Sequence, residues 1–239
     1  GVFNLVNGEG PVVGSAMSQH TDIQMMSFTG STRAGTAVVR ESADTVKRVT
    51  LELGGKSPNI VFADCNVEER IDYSVRECMS NTGQSCNAPT RMLVPAHRHD
   101  EALEIAKEAA ESMKTGDPKI KSTDIGPLVS ETQFNKVQEL LKSGMQSRAT
   151  LVTGGIGKPD GLEKGYFVKP TIFGNVSNNM KIAQEEIFGP VLSIIPYKTD
   201  EEAIEIANDS EYGLAAYVAG QNPEKLMYFA RNLNAGQIH

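Results

Sequence analysis

The sequence predicts an α/β fold with a largely parallel sheet. Short apolar runs typical of strands alternate with segments of helical periodicity along most of the 239 residues. The share of hydrophobic residues, 39%, is that of a globular protein able to bury a large core. A Gly54-Gly55 pair interrupts the pattern sharply and predicts two units, residues 1–53 and 54–239.

The individual elements follow from the spacing of apolar and turn-forming residues. The predicted strands are residues 2–6, 25–28, 48–53, 59–62, 91–94, 150–153, 168–172, 191–197 and 215–219. The predicted helices are residues 32–43, 67–80, 98–113, 130–147, 200–207 and 223–233. Five glycines between Gly154 and Gly165 follow a strand but precede no helix, which indicates a surface loop and not a phosphate site.

Composition excludes several classes of function. With 23 Lys and Arg against 30 Asp and Glu, the net charge of −7 offers no basic surface for nucleic acid. No apolar run is long enough for a membrane span, and the first residues do not resemble a signal peptide, so we expect a cytoplasmic protein. The strand-like start without Met, and an end at which another strand begins, lead us to expect an excised part of a longer protein.

Cysteine chemistry is expected at one position. Cys65, Cys78 and Cys86 are odd in number and have no metal-like spacing, which argues against a disulfide framework and against a metal site. Cys86 lies in a polar, glycine-containing loop between a helix and a strand, whereas Cys65 and Cys78 lie beside apolar positions. A reactive thiolate needs access and polar surroundings, so Cys86 is the candidate nucleophile.

Three further motifs are ambiguous when taken alone. Gly30 and Ser31 follow a strand and open a helix, where backbone N–H groups could bind phosphate or Ser31 could simply cap the helix. Glu52 ends a strand, where it could act as a general base or pair with Lys47 or Lys56. The acidic pair at residues 185–186 is most often a solvated turn.

Taken together, these motifs resemble the aldehyde dehydrogenase superfamily. The matching stretches, in the family's order and at about its spacing, are Phe28-Thr29-Gly30-Ser31-Thr32-Arg33-Ala34-Gly35, Leu51-Glu52-Leu53-Gly54-Gly55-Lys56-Ser57-Pro58, Gly83-Gln84-Ser85-Cys86 and Glu185-Glu186-Ile187-Phe188-Gly189-Pro190-Val191. The resemblance implies the end of a Rossmann-like nucleotide-binding domain over residues 1–53. It implies a three-layer α/β/α catalytic domain over residues 54–239.

The resemblance also implies a role for each matching residue. Cys86 would attack an aldehyde, forming a thiohemiacetal and then a thioester, and Glu52 would activate the water that hydrolyses the thioester. The cofactor would be NAD or NADP. Its contacts would be Gly30 and Ser31 at the pyrophosphate, Glu186 at the nicotinamide ribose, and Leu53 and Phe188 near the nicotinamide.

Two interpretations of the activity stay open. Glu52 favours a hydrolysing enzyme over the acyl-CoA-forming branch of the superfamily, and the small polar Ser85 and Asn87 suggest a polar aldehyde or a semialdehyde. Alternatively, the chain as given is a non-catalytic fragment, because family members are about twice as long. We expect the full-length parent to form a homo-oligomer and the isolated chain to be inactive.

Overall fold

The computed structural model describes residues 1–239, which form two compact units, Gly1–Gly54 and Gly55–His239. The junction falls within the Gly54-Gly55 pair, one residue after the boundary expected from the sequence. That the two units are a nucleotide-binding part and a catalytic domain stays a prediction.

The first unit is a β-α-β arrangement preceded by a helix. Its elements are α1 (Gly10–Gln19), β1 (Met25–Thr29), α2 (Thr32–Ser42) and β2 (Arg48–Glu52). The two strands pair in parallel, from Met25 opposite Arg48 to Thr29 opposite Glu52. A parallel pair needs a crossover, and α2 supplies it. The helix α1 packs against α2.

The second unit is a sheet of seven strands flanked by helices. Its strands are β3 (Pro58–Val61), β4 (Arg91–Pro95), β5 (Thr150–Thr153), β6 (Thr171–Gly174), β7 (Val191–Tyr197), β8 (Ala215–Ala219) and β9 (Gln237–Ile238). Their order across the sheet is β5-β6-β7-β4-β3-β8-β9, with β5 alone antiparallel to its neighbour. The helices are α3 (Val67–Met79), α4 (His99–Ser112), α5 (Glu131–Gln146), α6 (Lys181–Gln184), α7 (Asp200–Asn208) and α8 (Pro223–Asn232).

Each face of this sheet carries its own core. On β4, Met92 belongs to the core under α3 and α4, and Leu93 belongs to the core on the opposite face, under α5, α7 and α8. Successive residues of a strand point to opposite faces, so a strand covered on both sides is apolar without alternation. All five residues of β4 are buried, as this requires. The structure therefore confirms a largely parallel, three-layer α/β/α sheet in the second unit.

Several predicted elements need correction. Residues 2–6 are not a strand, because no other strand pairs with them, and Phe3 is 85% exposed. The strand predicted at residues 168–172 begins only at Thr171, since Pro170 has no N–H to donate and the Thr171 N–H makes the bond to the Pro190 carbonyl. The helices α1 and α6 were not predicted.

The predicted glycine-rich loop is present after β5. Gly154, Gly155, Gly157, Gly161 and Gly165 all have positive φ, so this stretch turns repeatedly and forms neither helix nor strand. No helix of the protein combines the length and the hydropathy that crossing a membrane would require.

Candidate active site

In the first unit, the start of α2 leaves two backbone N–H groups without an acceptor in the chain. The hydroxyl of Ser31 caps the helix by accepting a hydrogen bond from the Ala34 N–H at 3.3 Å. This leaves the first N–H groups of α2, those of Thr32 and Arg33, at the positive end of the helix dipole. The Gly30 N–H, by contrast, donates to the Glu52 carbonyl at 3.0 Å. Gly30 can therefore contribute close backbone approach there, but not a free donor.

Glycine spacing also governs the packing of this helix. A Cβ at Gly35 would lie 2.6 Å from a methyl carbon of Leu53, so only glycine allows α2 to pack against that side chain. The carboxylate of Glu52 ends β2 and is exposed. Within the first unit it has no cationic partner, because the Lys47 amine donates instead to the His20 carbonyl at 2.6 Å. The alternative that Glu52 pairs with Lys47 is therefore not borne out.

In the second unit, Cys86 follows a tight left-handed turn. Asn81, Thr82 and Gly83 have φ of 51°, 60° and 67°, a conformation that is strained for the β-branched Thr82. Its hydroxyl is held by the Gly126 carbonyl at 3.3 Å. A Cβ on Gly83 would lie 2.1 Å from a backbone oxygen, so glycine is required there. The turn fixes the direction from which the chain enters Cys86.

Gln84 anchors the same turn to a neighbouring segment. Its side-chain carbonyl accepts a hydrogen bond from the Val129 N–H at 2.9 Å, and its amide donates to the Asn81 carbonyl at 3.3 Å. The side chain of Cys86 is half-buried, and its N–H donates no hydrogen bond within the chain. That N–H is therefore free to donate to an acceptor bound beside the thiol.

Gly55 lies between Cys86 and Glu186. A Cβ on Gly55 would be 2.4 Å from the Cys86 carbonyl oxygen, so the two backbones approach as closely as glycine permits. The Gly55 N–H donates to Oε1 of Glu186 at 3.1 Å. The Cys86 loop and the carboxylate of Glu186 thus both contact the backbone of Gly55, although Glu186 is 131 positions from Gly55 in the sequence. The acidic pair is not simply a solvated turn.

Phe188 adopts a left-handed conformation in the loop that carries Glu186. Its φ is 57°, which is rare for an aromatic residue. The side-chain amide of Gln133, on α5, donates to the carbonyls of Ile187 and Phe188, both at 2.9 Å. The next residue, Gly189, supplies the backbone oxygen that faces Gly83. The loops of Cys86 and Glu186 are therefore in direct backbone contact.

The three thiols differ in their surroundings. Cys78 is fully buried, and burial raises its pKa to about 12. Cys65 is half-buried, not enclosed as the sequence suggested; partial burial raises its pKa, and its Sγ donates to the Phe62 carbonyl at 3.1 Å. Cys86 alone is half-buried with no such contact at its thiol.

Two buried cations close to this site were not singled out by the sequence. Lys56 is 1% exposed and its amine has no hydrogen-bond partner, so it is not the surface partner for Glu52 that the sequence allowed. Arg91 is also 1% exposed, and each of its three side-chain nitrogens donates a hydrogen bond. Hydropathy patterns treat both residue types as surface groups, so no sequence signal marked them.

Each unit contains groups whose chemistry suits part of a dinucleotide. The open N–H groups at the start of α2 suit a pyrophosphate, and the half-buried carboxylate of Glu186 suits ribose hydroxyls. Leu53 and Phe188 supply apolar surface near these groups in their own units. The residues predicted to bind a cofactor are therefore chemically suited to it, and their roles stay predictions.

Comparison with known proteins gives the family. The model of the aldehyde dehydrogenase family matches residues 1–239. A 3-succinoylsemialdehyde-pyridine dehydrogenase from a Pseudomonas species is 52% identical over 239 residues, covering 100% of this chain and 50% of that protein. The chain thus spans about half the length of the curated relatives it matches.

Solved structures agree with this assignment. An aldehyde dehydrogenase from Bartonella henselae superposes with a TM-score of 0.98 at 49% identity, over 100% of this chain and 50% of the other. Aldehyde dehydrogenase C from Pseudomonas syringae, crystallised as a cysteine-to-alanine mutant with NAD+ and octanal, gives the same TM-score and identity over 100% and 49%. This chain therefore belongs to the aldehyde dehydrogenase family.

Proposed function

We propose that the full-length protein containing this chain oxidises an aldehyde to a carboxylic acid with NAD+ or NADP+, using Cys86 as nucleophile and Glu52 as base. The observation that carries the proposal is the local environment of Cys86. Its loop is fixed by a left-handed turn, its thiol is half-buried but free, and its N–H has no acceptor. These are the properties of a nucleophile placed beside an oxyanion donor.

The proposed chemistry runs in two halves. The Cys86 thiolate adds to the carbonyl carbon, and the Cys86 N–H stabilises the resulting alkoxide of the thiohemiacetal. The nicotinamide supplies the acceptor for the hydride that leaves this carbon. The thioester on Cys86 is then hydrolysed when Glu52 takes a proton from water, which releases the carboxylic acid and the thiol.

The cofactor contacts follow from groups available in each unit. The pyrophosphate would bind to the N–H groups of Thr32 and Arg33, and Gly30, which has no side chain, would let it approach the backbone. Ser31 would act as the N-cap that fixes the start of α2. Glu186 would accept hydrogen bonds from the nicotinamide ribose hydroxyls. NAD+ in the Pseudomonas syringae relative supports a nicotinamide dinucleotide.

The aldehyde is proposed to be polar, with a semialdehyde as the alternative substrate class. Ser85 and Asn87, which flank the nucleophile, are small and polar; Ser85 is partly buried and Asn87 is exposed. The name of the Pseudomonas relative supports a semialdehyde, whereas the relative bound to octanal shows that an aliphatic aldehyde is also compatible with the family. Rates with succinic semialdehyde, octanal and benzaldehyde, using each cofactor in the full-length enzyme, decide between them.

Pre-steady-state kinetics of the full-length enzyme test the catalytic roles. Cys86→Ala should give no reduced cofactor, because no thiohemiacetal forms. Glu52→Gln should give a burst of about one equivalent and then stall, because the thioester forms but is not hydrolysed. Cys65→Ala is the matched thiol control and should keep turnover within about twofold. Sustained turnover by Glu52→Gln would refute its role as the base.

We infer a cytoplasmic homo-oligomer for the full-length protein, as the composition and family resemblance suggest. Sedimentation velocity of that protein would test the oligomeric state. The isolated chain of residues 1–239 is expected to be inactive, because the relatives are about twice its length. An aldehyde assay on this chain, beside the full-length protein, checks that expectation.

A further inference from the structure

Arg91 is a buried cation held entirely by carbonyl oxygens. It begins β4, the strand that follows the Cys86 loop, and it is 1% exposed. Its guanidinium donates to the Lys56 carbonyl at 2.9 Å, the Asn178 side-chain carbonyl at 2.9 Å, the Ile206 carbonyl at 2.9 Å and the Ala207 carbonyl at 2.8 Å. Burial lowers the pKa of Arg91 to about 10, so it is still cationic at neutral pH.

One of these bonds supports the donor that holds Glu186. Nε of Arg91 fixes the carbonyl of Lys56, the residue directly after Gly55. The Gly55 N–H in turn donates to the Glu186 carboxylate at 3.1 Å. The Gly55 N–H therefore belongs to a short backbone segment that Arg91 holds at the Lys56 carbonyl.

A second path supports the acceptor. Arg91 donates to the side chain of Asn178, and the main-chain carbonyl of Asn178 accepts a bond from Nε2 of Gln184 at 2.8 Å. Gln184 also donates to the Asp209 carbonyl at 3.0 Å. It ends α6, two residues before Glu186. Both partners of the Gly55–Glu186 hydrogen bond therefore trace back to one guanidinium.

We propose that Arg91 is the positioning residue that orients the Glu186 carboxylate toward the nicotinamide ribose, acting through Lys56 on one side and through Asn178 and Gln184 on the other. The assignment rests on the proposed function for its cofactor, but its structural part concerns the Gly55–Glu186 bond alone. Arg91 itself touches neither substrate nor cofactor. A lysine at this position would keep the charge but could not reach four acceptors, because one amine cannot replace the planar five-donor fork.

The test uses the full-length protein and five variants, of which three are compared first. Arg91→Lys removes the fork, and Gln184→Ala removes only the second path, so it provides the milder perturbation if Arg91→Lys folds poorly. Asn208→Ala is the matched control, because its amide donates to the Asn232 carbonyl at 2.8 Å in the same region but has no bond to the Gly55–Glu186 path.

Hydrogen exchange of the cofactor-free protein gives the first readout. The Gly55 amide should exchange at least about tenfold faster than in the wild type in Arg91→Lys and Gln184→Ala. In Asn208→Ala its exchange rate should equal that of the wild type. Calorimetric titration with NAD+ gives the second. Its Kd should rise about fivefold or more in both variants, whereas combining Gln184→Ala with Glu186→Gln should raise it less than twofold above Glu186→Gln alone.

The outcomes separate the two claims. Unchanged exchange at Gly55 in folded Arg91→Lys or Gln184→Ala would overturn the positioning role. Faster exchange with an unchanged Kd, or additive effects of Gln184→Ala and Glu186→Gln, would also overturn it as a cofactor-positioning role. If the wild type lacks aldehyde oxidation but the exchange and Kd effects appear, the proposed function fails and the Arg91 assignment stands.

Discussion

Replacement of Lys56 should change how stability depends on pH. The amine of Lys56 is buried without a partner, and burial lowers its pKa from 10.5 to about 7, an effect that nearby Arg91 reinforces and Cys78 and Glu186 oppose. Above pH 7 the folded chain loses a proton that the unfolded chain still binds. The free energy of unfolding therefore rises with pH between about 7 and 10.5.

The size of this effect follows from the two pKa values. Their difference corresponds to about 5 kcal/mol over the whole window, of which about 1.5 kcal/mol falls between pH 7 and 8.5. Burial raises the pKa of Cys78 to about 12, so an opposing loss of stability begins near pH 9, where the unfolded thiol ionises. Measurements should therefore stop at pH 8.5.

Urea unfolding followed by circular dichroism measures the effect. Lys56→Met should be more stable than the wild type at pH 7, because an unpartnered buried amine is removed, and this advantage should shrink by about 1.5 kcal/mol by pH 8.5. Lys142→Met, on the exposed face of α5, is the control and should follow the wild type. If the free energy of unfolding of the wild type and of Lys56→Met depends on pH in the same way, burial does not disfavour the charged amine of Lys56 and the reasoning fails.

Two further predictions follow from the thiols and the glycine turn. Brief substoichiometric iodoacetamide should label Cys86 first, since burial raises the pKa of both Cys65 and Cys78; peptide mass spectrometry that finds either of these dominant would contradict it. Gly83→Ala should cost about 2–4 kcal/mol in urea unfolding, because its Cβ would meet a backbone oxygen at 2.1 Å. Gly157→Ala, with φ of 88° but open space, should cost only about 1 kcal/mol, and equal losses would show that the contact does not matter.

The sequence predicts most of the sheet because its strands are bounded by turn residues. The ranges predicted at residues 150–153, 191–197 and 215–219 coincide with β5, β7 and β8. Where prediction was wrong, the causes were partly tertiary and partly local. Residues 2–6 have strand-like composition but no partner, and Pro170 delays β6 by withholding a donor. The exposed α1, with only Ser18 buried, has too weak an apolar face to be recognised.

The residues of the candidate site could be proposed from the sequence, but their arrangement in space could not. Cys86 could be selected from its polar, glycine-containing loop, whereas Glu52 and Glu186 received their proposed roles only through the family resemblance. The bond from Gly55 to Glu186 joins segments 131 residues apart, and local periodicity carries no information about such a pair. The need for glycine at position 55 is also invisible locally, because a Cβ there would collide with the carbonyl oxygen of Cys86.

The two buried cations, Arg91 and Lys56, differ in how many acceptors surround them. Local sequence patterns do not show this difference, and it means that neither cation could replace the other without cost. The carbonyls of Ile206 and Ala207, which bind Arg91, belong to the last turn of α7, where carbonyls lack helical partners and the dipole is negative. A guanidinium can satisfy several such oxygens at once, which offsets the cost of burying its charge. Lys56 has no comparable set of acceptors, so we expect its burial to lower stability. Lys56 lies near enough to Glu186, the carboxylate proposed to bind ribose, for their charges to interact. Measuring pH-dependent unfolding and NAD+ affinity together for Lys56→Met would separate its effect on stability from its effect on cofactor binding.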